Sequence, residues 1–102
     1  MASIIDDPSL VRGIIYCIEN TQNGKLYVGQ TRTHRLNHGR YRPFGAEGRF
    51  RDHMSCALKN TKPGQCSALY NDIRTFGKDA FTFSTLEECD VLLLDQREKW
   101  WI

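Results

Sequence analysis

The apolar positions of this chain fall into short runs set apart by polar stretches, and each run has a spacing that names an element. Gly13 to Glu19 is rich in β-branched and aromatic residues, and so is Lys25 to Gln30. The polar stretch Asn20–Gly24 between them ends in Asn-Gly, which predicts a β-hairpin. Side chains alternate faces along a strand, so Tyr16 shares a face with Ile14 and Ile18. A register that pairs 16 with 27 puts Tyr27 opposite Tyr16. It also pairs Glu19 with Gly24 and leaves a loop over 20–23. A slip of one residue would throw the tyrosines to opposite faces.

From Glu47 to Asn60 the period becomes helical, with Phe50, Met54, Ala57 and Leu58 along one seam. Arg49 and His53 are four apart and stack beside that seam. Pro63-Gly64 predicts a turn over 61–64. Ser67 then reads as the N-cap of a second helix carrying Leu69, Ile73 and Phe76, with Gly77 at its end. Phe81–Leu86 predicts a third strand, and a last helix is expected from about Asp90 to the end. Residues 1–12 have little periodicity and are broken by Pro8, so they read as an arm. Residues 31–48 read as a long connection punctuated by Gly39, Pro43, Gly45 and Gly48. The fold class is α/β, a small three-stranded, largely antiparallel sheet flanked by helices.

A length of 102 residues supports one domain. No apolar run approaches the roughly 18 residues of a membrane span, and the first ten residues carry Asp6 and Asp7 without a basic residue, unlike a secretory signal. These features point to an intracellular protein. Cys17, Cys56, Cys66 and Cys89 lack C-x-x-C spacing, so they read as free buried thiols and not as a zinc site or disulfides. The net charge of +2 is uninformative until it is mapped. Residues 32–51 hold six arginines against Glu47 alone. That cluster offers a face to a polyanion or, read blandly, is a solvated basic loop.

Candidate chemistry begins with Glu98, which a helical projection places between Val91, Leu94 and Ile102. A carboxylate in an apolar stripe is either a metal ligand or an edge acid paired with an arginine, and projection alone favours the second. Tyr16 and Tyr27, taken as an isolated pair, are better explained by packing with tied hydroxyls. Arg49 alone reads as a surface residue and His53 alone as a core-edge histidine.

The order of these residues changes their weight. Gly13-Ile14-Ile15-Tyr16, Asn20–Lys25 and Tyr27-Val28-Gly29-Gln30-Thr31 resemble the paired motifs of the GIY-YIG nucleases. Arg49-Phe50-Arg51-Asp52-His53 is similar to that family's Arg-x-x-x-His helix. Leu69–Phe76 with the following Gly77–Phe83 is similar to its second helix and third strand, and Arg97–Ile102 to the ending that carries its glutamate. The resemblance covers residues 13–102 as one catalytic domain, with 1–12 an arm and 31–48 a basic insertion. It implies a metal-dependent endonuclease that hydrolyses phosphodiester bonds in DNA. Glu98 would hold one Mg²⁺ or Mn²⁺ ion, and Arg49 would contact the scissile phosphate. Tyr16 or Tyr27 would activate water, with Tyr16 preferred, and His53 would support proton transfer or touch the phosphate. Arg32, Arg35, Arg40, Arg42 and Arg51 would contact DNA.

The sequence departs from the family pattern in four places. An extra residue separates Gly13 from Tyr16, which leaves Gly13 without an assigned role. The stretch from Gly29 to Arg49 is long and creates a rival Arg35/His38 register, disfavoured because His38-Gly39 and Pro43 oppose a helix. No lysine stands at Gln30-Thr31. Ile102 precedes the late asparagine, which fits either a fragment of a longer protein or a minimal member. A monomer or homodimer, with or without a further DNA-binding domain or partner chain, is compatible with this reading. The alternative is a non-catalytic nucleic-acid-binding module on the same scaffold.

Overall fold

The computed structural model describes residues 3–59 and 66–102; the turn expected over 61–64 lies outside them. Strands β1 (Gly13–Asn20), β2 (Leu26–Arg32) and β5 (Phe81–Cys89) form an antiparallel sheet in the order β2-β1-β5. Helices α1 (Gly45–Lys59), α2 (Ser67–Phe76) and α3 (Leu94–Trp101) pack around it. The expected α/β class and three-stranded antiparallel sheet are therefore present. No helix among the described residues is long and apolar enough to cross a membrane.

The central strand β1 is buried on both faces, so its run is continuously apolar. Ile14, Tyr16 and Ile18 face α1 and α2 in the main core, beside Met54, Ala57 and Ile73. Ile15 faces the other way, in a smaller core with Cys89 and Leu94 under α3. Gly13 takes its role here: a Cβ on it would stand 2.6 Å from the Leu94 side chain, so glycine leaves the room that Leu94 of α3 uses against β1.

The hairpin register differs from expectation. Ile18, not Tyr16, pairs with Tyr27, while Tyr16 pairs with Gly29 and Glu19 with Leu26. The shift is two residues, so the parity of faces survives and both tyrosines remain on the α1/α2 side. Its cause is the longer loop: Asn20 bonds the backbone N–H of Gln22 through its side chain, and its own N–H reaches the Lys25 carbonyl.

The basic stretch 31–48 is not a featureless connection. It holds a second antiparallel hairpin, β3 (His34–Asn37) with β4 (Arg40–Pro43), and the first turn of α1. His38 and Gly39 both take positive φ, 51° and 76°, which is the tight-turn geometry that matches strand twist. The arm is used as well, since Ile5 bridges to Tyr41 and Arg40 pairs with Asp6.

Element ends also shift. Cys66, in a left-handed conformation, caps α2 without a side-chain bond, and Ser67 is the first helical residue; Gly77 ends α2 as expected. β5 runs three residues beyond Leu86. Asp90 caps a single 3₁₀ turn, Val91–Leu93, before α3 begins at Leu94. Leu58, Phe76 and Ile102, expected on buried seams, are exposed. Cys17, Cys56 and Cys89 are free and buried, but Cys66 is exposed.

Candidate active site

Tyr16, Tyr27, Arg49, His53 and Glu98 open onto one cavity of about 590 Å³. They come from β1, β2, α1 and α3, and they meet at the β2 edge of the sheet. At that edge α1, from one face of the sheet, and α3, from the other, both contact β2. Gly29 makes the meeting possible, because a Cβ there would fall on the hydroxyl end of the Tyr16 ring.

His53 is buried and joins two hydroxyls. Its Nε2 lies 2.9 Å from Tyr16 Oη and its Nδ1 lies 3.0 Å from Tyr70 Oη. A neutral ring carries one N–H and one lone pair. With the proton on Nδ1 it donates to Tyr70, and Nε2 accepts from Tyr16. Burial pushes the Tyr16 phenol above its ordinary pKa of 10.0, and the Arg49 guanidinium opposes that shift.

Tyr27 has a different environment. Its hydroxyl donates to Asp72 Oδ2 at 2.6 Å, and Asn20 Nδ2 approaches the same oxygen at 3.5 Å. Burial, then the hydrogen bond and charge of Asp72, push its pKa up to about 12. The two tyrosines are thus inequivalent: a cation stands near Tyr16 and an anion holds Tyr27.

Glu98 turns Oε1 to the Gln30 amide at 2.8 Å, and the same amide nitrogen donates to Asp95 Oδ1 at 2.7 Å. Among the described residues no cation pairs with Glu98, whereas its neighbour Arg97 is bound to Glu87 at 2.6 and 2.7 Å. Glu98 is part-exposed, as an acid at the edge of the stripe would be, and it has no arginine partner among the described residues. Gln30 is neutral, so it orients the carboxylate without cancelling its charge. Among the described residues no group of three or more histidine, cysteine or acidic side chains could cage a metal. One part-exposed carboxylate in an open cavity suits a hard divalent ion that keeps most of its water.

The five arginines expected on nucleic acid have different surroundings. Arg32 and Arg35 line a neighbouring cavity. Arg40 is paired with Asp6, and Arg42 donates to the Asn37 carbonyl within its own hairpin. Arg51 lines a separate depression with Lys78 and Asp79. Asp52 links the hairpin to the site, standing 3.5 Å from Arg49 and 3.8 Å from Arg35.

Sequence reasoning missed Gln30, Tyr70 and Asp72. Tyr70 and Asp72 sit two apart on α2, next to the apolar stripe and not on it. Their signal was the cost of burying a phenol or carboxylate without a partner. Comparison of the chain with family models, curated proteins and solved structures finds no match to any of the three.

Proposed function

We propose that this protein is a Mg²⁺- or Mn²⁺-dependent endonuclease that hydrolyses phosphodiester bonds in DNA, of the GIY-YIG kind. The supporting observation is the shared cavity: residues from one hairpin and two helices, far apart in sequence, line one open space. Arg49 binds the scissile phosphate and stabilises the charge that builds on its oxygens. Water attacks phosphorus in line with the leaving oxygen. Tyr16 takes the water proton as its own passes to His53 Nε2, so a phenol with a raised pKa never has to exist as free phenolate beforehand. Tyr70 holds the opposite ring nitrogen, its hydroxyl oxygen accepting the Nδ1–H in this tautomer. Tyr27, tied to Asp72, orients and does not act as the base.

Glu98 would hold the ion, oriented by Gln30. When bound, the ion supplies Lewis-acid stabilisation of the phosphate oxygens. The test is nicking of supercoiled plasmid with Mg²⁺ or Mn²⁺. Cleavage is expected, stopped by EDTA and lost in Glu98→Ala and Arg49→Ala. Robust cleavage by Glu98→Ala would remove the metal assignment. Salt-sensitive DNA binding without cleavage under either metal would leave a binding module instead.

A further inference from the structure

A second cavity, of about 870 Å³, opens beside the candidate active site and shares Gln30 with it. Its volume lies in the range of roughly 300–1,000 Å³ typical of pockets that enclose small organic groups. Four parts of the chain wall it: the arm, the end of β2, the β3–β4 hairpin with the residue that follows it, and the turn leading into α3. Val11, Leu36, Tyr41, Phe44, Val91 and Leu94 supply its apolar walls. Leu36 is 60% exposed there, an aliphatic side chain left facing solvent.

Cations stand on the rim. Arg32, at the exposed end of β2, forms no ion pair among the described residues. The Arg35 guanidinium lies over the Phe44 ring, 5.0 Å from its centroid. The acid in the lining is Asp90, whose carboxylate already accepts the Leu92 N–H at 2.9 Å. Apolar walls with arginines at the mouth match a group that is flat, apolar on its faces and anionic at one end. A nucleotide is such a group. Bases inside a duplex have both faces covered by their neighbours, so only an unstacked base can present a face to these walls.

We propose that this cavity receives one unpaired base of the strand whose phosphate occupies the neighbouring site. Arg32 contacts that nucleotide's phosphate, and Tyr41, Phe44 and Arg35 meet the face of the base. The inference rests on the nuclease reading and names a substrate feature for it: an unpaired nucleotide next to the cut. Ser9, Gln30, Thr31 and His34 also line the cavity, but stacking on apolar walls tolerates any base, so the preference is for the unpaired state and not for a particular base.

The test uses the full chain in EDTA, with fluorescence anisotropy on two duplexes that differ by one bulged 2-aminopurine. The bulged duplex should bind about tenfold more tightly, and its 2-aminopurine emission should change on binding. Leu36→Gln and Arg32→Gln, both at exposed positions, should each reduce that ratio toward one. Equal binding of paired and bulged DNA by the wild type would overturn the inference and leave the nuclease reading standing. A preference that survives both substitutions would place the base elsewhere and overturn it too. Binding of neither duplex would overturn the inference, while the nicking assay with metal decides the nuclease reading.

Discussion

At the scale of single residues, the site depends on what is absent at position 29. Tyr16 and Gly29 face each other across β1 and β2, and the phenol lies where a Cβ would be. Gly29→Ala must push the ring away from His53, whose Nε2 it meets at 2.9 Å. The expected cost is about 1–3 kcal/mol of stability, as for other over-packed interiors. Plasmid nicking should fall by about 100-fold, because a displacement near 1 Å has that effect on positioned groups. A urea titration and a nicking assay measure the two. The Tyr16–His53 pair gives a sharper check. If the two pass one proton, Tyr16→Phe and His53→Gln each remove the same step, and the double variant should be no slower than the slower single. Multiplicative losses would separate the two side chains and end the relay.

At the scale of elements, α3 is held from both sides. Arg97 and Trp101, four apart, bind Glu87 on β5, while Asp95 and Glu98, three apart, bind Gln30 on β2. The Arg97 guanidinium and the Trp101 N–H keep the Glu87 carboxyl below its ordinary pKa. Gln30→Ala should leave the fold intact yet free Glu98 to rotate, raising the Mg²⁺ concentration needed for half-maximal nicking. An unchanged metal requirement would mean that Gln30 does not orient the carboxylate. These ties also show where the sequence could be read. Elements with a long buried face were legible: β1 and α1 follow from apolar period alone. The β3–β4 hairpin was not, because its strands are four residues each and carry arginines instead of an alternating apolar face. Tyr70 escaped for a related reason. A stripe drawn through Leu69, Ile73 and Phe76 runs along one edge of the buried face, which the structure centres on Leu69, Tyr70 and Ile73. The two-residue register error did no harm to the site, since an even slip keeps every side chain on its face.

At the scale of the whole molecule, folding brings phenols into surroundings that oppose their ionisation. Burial, with the Asp72 carboxylate for Tyr27 and nearby thiols for Tyr70, raises both pKa values to about 12, against 10.0 for the free side chain. The consequence for stability has a definite sign. Below pH 10 both states hold these protons and pH has no effect through them. Above it the unfolded chain releases protons that the folded chain keeps, so alkali favours unfolding until the folded phenols titrate near 12. Urea midpoints should therefore be flat through neutral pH and fall steadily between about pH 10 and 11.5. Tyr70→Phe removes one of the phenols and should flatten that fall, whatever it does to the midpoint at neutral pH. A slope equally steep in the variant would mean that the alkaline loss arises from groups outside the His53 network. A flattened slope would show that the Tyr70 hydroxyl beside His53 keeps its proton in the folded protein above pH 10.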